Sequence, residues 1–229
     1  MNTGAAAPAI GAGRDPAAFV RANTMLESPR LLPELKLHVA SEVVPLWEAT
    51  QEELTAQGLP PPYWAFAWAG GQALARYILD TPESVLGRRV LDFATGSGMV
   101  ALAARKAGAA RVEASEIDPF ACAAVTLNAE ANALAVELLR EDVLKRSLCP
   151  WQVILAGDIC YETPMAERAI AWLRAAAGAG ATVIIGDPGR NYLPASGLEK
   201  LATYTVPTTR EMEDSELRET SVWRVLPNA

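Results

Sequence analysis

Between Arg89 and Asp187 short β-rich runs alternate with alanine-rich segments of helical length, and this alternation restricts the fold more than any other feature of the 229-residue chain. "RVLDFA" (89–94), "RVEASEI" (111–117), "VELLRED" (136–142), "WQVILAGD" (151–158) and "ATVIIGD" (181–187) read as strands one to five. Between them "GMVALAARKAGA", "DPFACAAVTLNAEANAL" and the stretch from Thr163-Pro164 to about Ala177 read as helices, the second capped by Asp118 with Pro119 in its first turn. Strand-helix-strand units at this spacing make a parallel sheet with helices on both faces, an α/β fold. The pattern then changes. "LATYTVPTT" (201–209) and "ETSVWRVL" (219–226) are separated only by the acidic loop "REMEDSEL" and are expected as an antiparallel pair at one sheet edge.

Residues 1–14 are expected to form a disordered tail, and 15–229 a single domain whose N-terminal region, 15–80, is helical. "DPAAFVRANTML" opens with an Asp-Pro start signal, and "ELKLHVASEVVPLWEATQEELTAQG" mixes apolar and charged residues before Gly58. A proline-stiffened loop carrying Trp64 and Trp68 leads into an amphipathic helix from about Gly71 to Leu79. The single histidine, His38, is read as a surface or packing residue.

A formal net charge of -7 argues against binding to phosphate backbones, so no nucleic-acid partner is expected. No run reaches the length of a membrane helix, and "MNTGAAAPAIGAGR" lacks the charged start and apolar core of a signal peptide, so no membrane partner is expected either. Cys122, Cys149 and Cys160 form neither a disulfide framework nor a zinc pattern, which points to the cytoplasm and to no metal.

The chemistry concentrates at the strand ends. "VLDFATGSGMVA" (90–101) is a strand, a glycine turn and a helix start, and Gly96 to Ala101 satisfies the dinucleotide pattern G-x-G-x-x-G/A. Asp92 precedes Gly96 by four residues, an awkward neighbour for a pyrophosphate and a favourable one for a cation. S-adenosylmethionine supplies such a cation and carries no phosphate. Glu116, at the end of strand two, can accept hydrogen bonds from ribose hydroxyls, a feature that suits NAD equally. Asp142, at the end of strand three, is within reach of an adenine amino group; a solvated strand end, and a helix cap for Asp118, are the alternatives.

"LDFATGSG" resembles the first motif of class I S-adenosylmethionine-dependent methyltransferases, D-x-G-x-G-x-G, with Ala94 in place of the first glycine. "GDICYE" (157–162) resembles the D-x-x-Y motif of protein lysine methyltransferases, here Asp158 and Tyr161. With "PPYWAFAWAGGQALARYILD", "EIDPFACAAVTLNAEAN" and "IIGDPGRNYLP" it is similar to the electron transfer flavoprotein β-subunit lysine methyltransferase family, in a bacterial version, over roughly residues 30–227.

The resemblance implies a Rossmann-like seven-stranded mixed sheet, order 3-2-1-4-5-7-6 with strand 7 antiparallel. It implies a cofactor site of Trp68, Gly71, Gln72, Asp92, Ala94, Gly96, Gly98, Glu116, Asp118, Asp142, Val143 and Gly157, with Trp68 near the adenosine and 68–72 closing over it. Asp158 and Tyr161 are the expected catalytic pair, and Asp187 and Arg190 are expected to orient the substrate. The implied activity is methyl transfer from S-adenosylmethionine to lysine side chains of electron transfer flavoprotein β-subunit, with a ribosomal protein as a second target and S-adenosylhomocysteine as product. The rival readings are an NAD(P)-dependent oxidoreductase and a non-catalytic protein-binding module on the same fold. Methyl transfer needs alignment and an unprotonated amine; a sulfonium and desolvation both favour loss of the lysine proton, so no histidine base is required.

Overall fold

The computed structural model describes residues 15–40, 61–146, 150–208 and 216–227. The β-rich runs form β3 (Arg89–Phe93), β4 (Arg111–Ser115), β5 (Glu137–Leu139), β6 (Val153–Gly157), β7 (Thr182–Asp187), β8 (Leu198–Pro207) and β9 (Leu217–Val225). They join in one sheet in the order β5-β4-β3-β6-β7-β9-β8. β3 to β7 pair in parallel, and β9 runs antiparallel to both β7 and β8. This is the expected order 3-2-1-4-5-7-6. The central strands are buried on both faces, as a parallel sheet covered by helices requires.

Side-chain alternation divides the core. Val90, Val153, Leu155 and Ile184 face one side with helices α2 (Ala69–Asp80) and α3 (Met99–Lys106). Leu91, Phe93, Ile154, Ala156, Val183 and Ile185 face the other, beneath α5 (Met165–Gly178). Helix α4 (Pro119–Ala131) starts where Asp118 accepts a hydrogen bond from Phe120 N at 2.8 Å, and it stops where Ala133 turns left-handed (φ 52).

The N-terminal region departs from the helical expectation. Helix α1 (Pro16–Asn23) forms as its Asp-Pro start implies, but β1 (Met25–Glu27) and β2 (Leu37–Val39) pair as a small antiparallel hairpin. Asn128 of α4 and Asn132, which caps the end of that helix, impose this conformation. Asn132 Oδ1 accepts from Lys36 N at 2.9 Å while its Nδ2 donates to Lys36 O at 2.6 Å, and Asn128 Oδ1 accepts from His38 N at 2.7 Å. Extended backbone exposes those groups; a helix would have used them internally. Leu32, Leu35 and Leu37 then enter the main core fully buried. His38 is half-buried, its Nδ1 3.0 Å from Thr24 Oγ1, and burial with the Arg21 charge lowers its pKa. The expected tail 1–14, the remainder of the supposed helix at 41–57, Cys149, and Glu211, Glu213 and Asp214 of the acidic loop lie outside the described residues.

Candidate active site

The carboxyl ends of β3, β4, β6 and β7 converge on one edge of the sheet, where helix dipoles and free amide groups are available to a ligand. At β3 the turn is organised from inside. Asp92 is buried; its Oδ2 accepts from Thr95 Oγ1 and from Ala101 N (2.9 Å), tying the strand end to the first turn of α3. Ala94 (φ 50), Gly96 (φ 56) and Gly98 (φ 82) all adopt left-handed backbone, which explains the two glycines; at 94 alanine bears the strain. Burial pushes Asp92 up to about 7, and the Glu116 charge adds to the rise.

Glu116 closes the turn from β4. Its carboxylate accepts from Gly96 N (3.0 Å), Ile117 N (2.7 Å) and Asp118 N (3.1 Å), and burial outweighs these bonds to leave its pKa raised. Burial likewise pushes Tyr161 up to about 12, with Glu162, Tyr63 and Glu116 contributing.

The second half of the site hangs on four glycines. Gly157 and Gly186 are neighbours across β6 and β7, and Gly70 and Gly71 of α2 press onto them. A Cβ on Gly186 would lie 2.1 Å from Gly70 O, and one on Gly157 would lie 2.7 Å from Gly71 Cα. That approach delivers the Gly71 amide of the helix's first turn to Asp158, whose Oδ2 accepts it at 2.6 Å. Asp158 is itself left-handed (φ 54), anchored by its N–H to Gly186 O at 3.0 Å. Its Oδ1 accepts from Arg190 Nη2 at 3.0 Å. Burial raises Asp158 to about 6 despite the opposing charge of Arg190.

Asp187 builds the loop that carries this arginine. It is buried, and its Oδ1 accepts from Gly189 N and Arg190 N, each at 2.7 Å, so it shapes the turn while Arg190 reaches the site. The Arg190 guanidinium lies 5.7 Å from the Trp68 ring centre. Trp68 Nε1 donates to Tyr63 O at 2.8 Å, and Tyr63 faces Tyr161 with ring centres 5.2 Å apart. Phe66 completes this wall, 5.9 Å from Trp68.

Several expected roles acquire different structural neighbours. Trp68 stands against Arg190, on the Asp158 side, whereas it is Trp64 Cα that would lie 3.9 Å from a Cβ on Gly96, with no other atom of the described residues beyond the turn itself within 4 Å. Asp142 does not end its strand: β5 stops at Leu139, and Asp142 caps a short turn by accepting from Leu144 N (3.1 Å), with Arg168 3.6 Å away. Asp118 serves as a helix cap, and Val143 is buried beneath the α5 face of the sheet. The aromatic wall partners Tyr63 and Phe66 and the glycine Gly70 escaped sequence reasoning. A signal existed: two "GD" strand ends, Gly157-Asp158 and Gly186-Asp187, answer the double glycine at 70–71, which a helix tolerates only for a packing reason.

The open space at Gly96 and one unsatisfied group test the fit of a cationic adenosyl cofactor. Gln72 is buried, its Nε2 donates to Ala67 O at 2.6 Å, and its Oε1 has no partner among the described residues. A buried acceptor in need of a donor suits an ammonium group, and the carboxylates of buried Asp92 and half-buried Glu116 suit a cation where they would repel a pyrophosphate. Among the described residues no group of three or more His, Cys, Asp and Glu side chains is arranged to hold a metal ion.

Similarity to other proteins agrees with this geometry. Residues 73–162 match the ribosomal protein L11 methyltransferase (PrmA) family. Electron transfer flavoprotein beta subunit lysine methyltransferase of Xenopus laevis is 36% identical over 93% of this chain and 87% of its own length. The chain belongs to that family. The human protein of the same name is 36% identical over 92% of this chain and 82% of its own. Among solved structures, the 16S rRNA N2 G1207 methyltransferase of T. Thermophilus in complex with AdoMet and guanosine shares the fold, with a TM-score of 0.54 and 21% identity over 74% of this chain and 46% of that one.

Proposed function

We propose that this member of the family is an S-adenosylmethionine-dependent protein-lysine N-methyltransferase whose substrate is electron transfer flavoprotein β-subunit, with a ribosomal protein as a second target. Membership of the family across nearly the whole chain is the observation that carries the reading. The residues fit the chemistry. Gly96, Gly98, Glu116 and Gln72 would hold the cofactor, with Asp92 keeping the glycine turn in shape. When bound, S-adenosylmethionine supplies a methyl carbon on a sulfonium that a neutral lysine amine can accept.

Asp158 draws in the lysine ammonium through Oδ1 while Gly71 N holds Oδ2 in place. Tyr161 and Tyr63 wall the aliphatic stem, and their raised pKa values keep both phenols neutral at physiological pH. Protein docking on a chain of net charge -7 suits a basic target segment, and the reading makes no use of nucleic acid or membrane. A reducing cytoplasm belongs to the same reading, supported by Cys122 and Cys160, which are buried free thiols.

The test is methyl transfer from labelled S-adenosylmethionine to purified electron transfer flavoprotein β-subunit, with the product lysines located by mass spectrometry. Label is expected in lysine, and Asp158→Asn is expected to lower kcat/KM by about a hundredfold or more while S-adenosylhomocysteine still binds by calorimetry. An unlabelled substrate, or calorimetric binding of NADH in place of S-adenosylhomocysteine, sinks the reading.

A further inference from the structure

The glycine turn after β3 is steadied by a helix that lies outside it. Gly96 (φ 56) and Gly98 (φ 82) supply left-handed backbone but little stiffness, so the turn depends on bonds from its surroundings to keep its shape. Ser97 stands between them, buried, and its carbonyl accepts from Asn128 Nδ2 of α4 at 2.8 Å. A peptide unit is planar, so fixing the Ser97 carbonyl also fixes the direction of the Gly98 N–H, which donates to Thr95 O at 3.0 Å. Val125, one turn earlier on the same helix, backs Gly98: a Cβ there would lie 3.3 Å from both of its γ-carbons.

The other end of the same amide reaches the N-terminal hairpin. Asn128 Oδ1 accepts from His38 N of β2 at 2.7 Å, and just past the end of β2 Ala40 N donates to Ala65 O at 2.8 Å. That second bond fastens the hairpin to the short turn Tyr63–Ala65, whose Trp64 Cα would lie 3.9 Å from a Cβ on Gly96. Trp64 is itself buried with Phe19, Phe120 and Leu127, in the small core that joins α1 to α4. The contacts close a circuit that runs from Ser97 through Asn128 to β2, on to the Trp64 turn, and back to Gly96. Both supports of the glycine turn therefore meet in residues 37–40.

We propose that Asn128 is a positioning residue for the cofactor: it ties the glycine turn to strand β2, and through β2 to the Trp64 segment, so that the N-terminal hairpin sets cofactor affinity by way of the turn. The inference rests on the reading that this turn receives S-adenosylmethionine. Coupling of this kind is reciprocal, so a ligand that steadies the turn must also steady β2. An asparagine that only stabilised the fold would lower the melting temperature and leave the affinity of the folded protein as it was.

Calorimetry with S-adenosylhomocysteine separates the two roles, at a temperature where every protein compared is folded by circular dichroism. Asn128→Ala is expected to raise Kd by about tenfold, the scale of the hydrogen bond lost at the turn. KM for S-adenosylmethionine should rise by the same factor, with KM for the electron transfer flavoprotein β-subunit unchanged. Leu173→Ala, which hollows the core beneath α5 on the opposite face of the sheet, should lower the melting temperature and leave Kd as in the wild type. A wild-type Kd in Asn128→Ala, or an equal loss of affinity in Leu173→Ala, overturns the proposal.

A measurement on the wild type stands whether or not the alanine variant folds. Saturating S-adenosylhomocysteine should slow amide hydrogen exchange at His38 and Ala40 by about fivefold or more, together with Gly98, while the Leu226 amide, bonded to Gly197 O at 2.9 Å beside the far edge of the sheet, keeps its rate. Unchanged exchange at His38 and Ala40, or equal slowing at Leu226, also overturns the proposal. A wild type that binds no S-adenosylhomocysteine removes the cofactor reading and the proposal with it, whereas binding that is indifferent to Asn128 removes the proposal alone.

Discussion

Asp92, enclosed in the glycine turn, and Asp158, half-buried beside Arg190, both have pKa values raised by removal from water, and their titration should show it. Asp92 rises to about 7 because burial outweighs its bonds to Thr95 and Ala101. The folded state then binds this proton more tightly than the unfolded chain, so stability contributed at this site is present below 3.8 and declines as pH climbs to about 7. Asp92→Asn removes that decline. The melting-temperature difference between variant and wild type should move in the variant's favour across this window, and a flat difference would show that Asp92 ionises normally in the fold. Asp158 must be charged to attract an ammonium, so kcat/KM should drop as the solution is acidified through about 6. A pH-rate profile with its acidic limb near that of a free aspartate would contradict the burial seen here.

At the scale of elements, the contact of α2 with β6 and β7 decides whether the site exists. It brings backbone to backbone at Gly70 and Gly186, and a methyl group there has no space: 2.1 Å to Gly70 O from a Cβ on Gly186. Gly186→Ala should cost on the order of 3 kcal/mol and lower the melting temperature by roughly 10 °C, because helix and sheet must part. Gly178→Ala, at the end of α5, meets among the described residues outside its own helix only Pro227 Cβ at 3.8 Å and needs no left-handed backbone, so it should be neutral or stabilise by up to about 1 kcal/mol. Thermal scans of the pair test the contrast. Asn128 joins two other elements: its Nδ2 donates to Ser97 O of the glycine turn at 2.8 Å, while its Oδ1 accepts from His38 N of β2. Asn128→Ala leaves both partners unpaired beside buried surface and should cost about 3 kcal/mol by urea unfolding. A loss well under 1 kcal/mol would show that water replaces these bonds.

Across the whole molecule, the segment before the first strand of the main sheet belongs to the same core as that sheet. Leu32, Leu35 and Leu37 are fully buried with Leu74, Ile78 and Val90, and α1 docks on α4 through Phe19 and Phe120, ring centres 4.9 Å apart. A chain shortened to begin at Pro61 would uncover that surface. It should bind hydrophobic dyes and lose its near-ultraviolet circular dichroism while keeping helical signal. A shortened chain that melts cooperatively near the full-length temperature would show instead that the N-terminal segment is a separate accessory.

Much of the architecture was legible before any tertiary contact was known, because it follows from rules acting over a few residues. Buried runs of β-branched residues, the Asp118-Pro119 helix start and the left-handed demands of Gly96 and Gly98 are each written within a short window, and the sheet order follows once the resemblance carried by those windows is recognised. The rest joins residues far apart in the chain. The Gly71 amide meets Asp158 across 87 positions and Arg190 meets it across 32; Lys36 is held extended by Asn132 across 96. Local pattern gave residues 37–39 a helical expectation, and a pair of asparagine amides on another helix overrode it. Period and turn chemistry decide what each segment can become, but which backbone amide or guanidinium a buried carboxylate will meet is settled only when sheet order and helix placement bring the partners together.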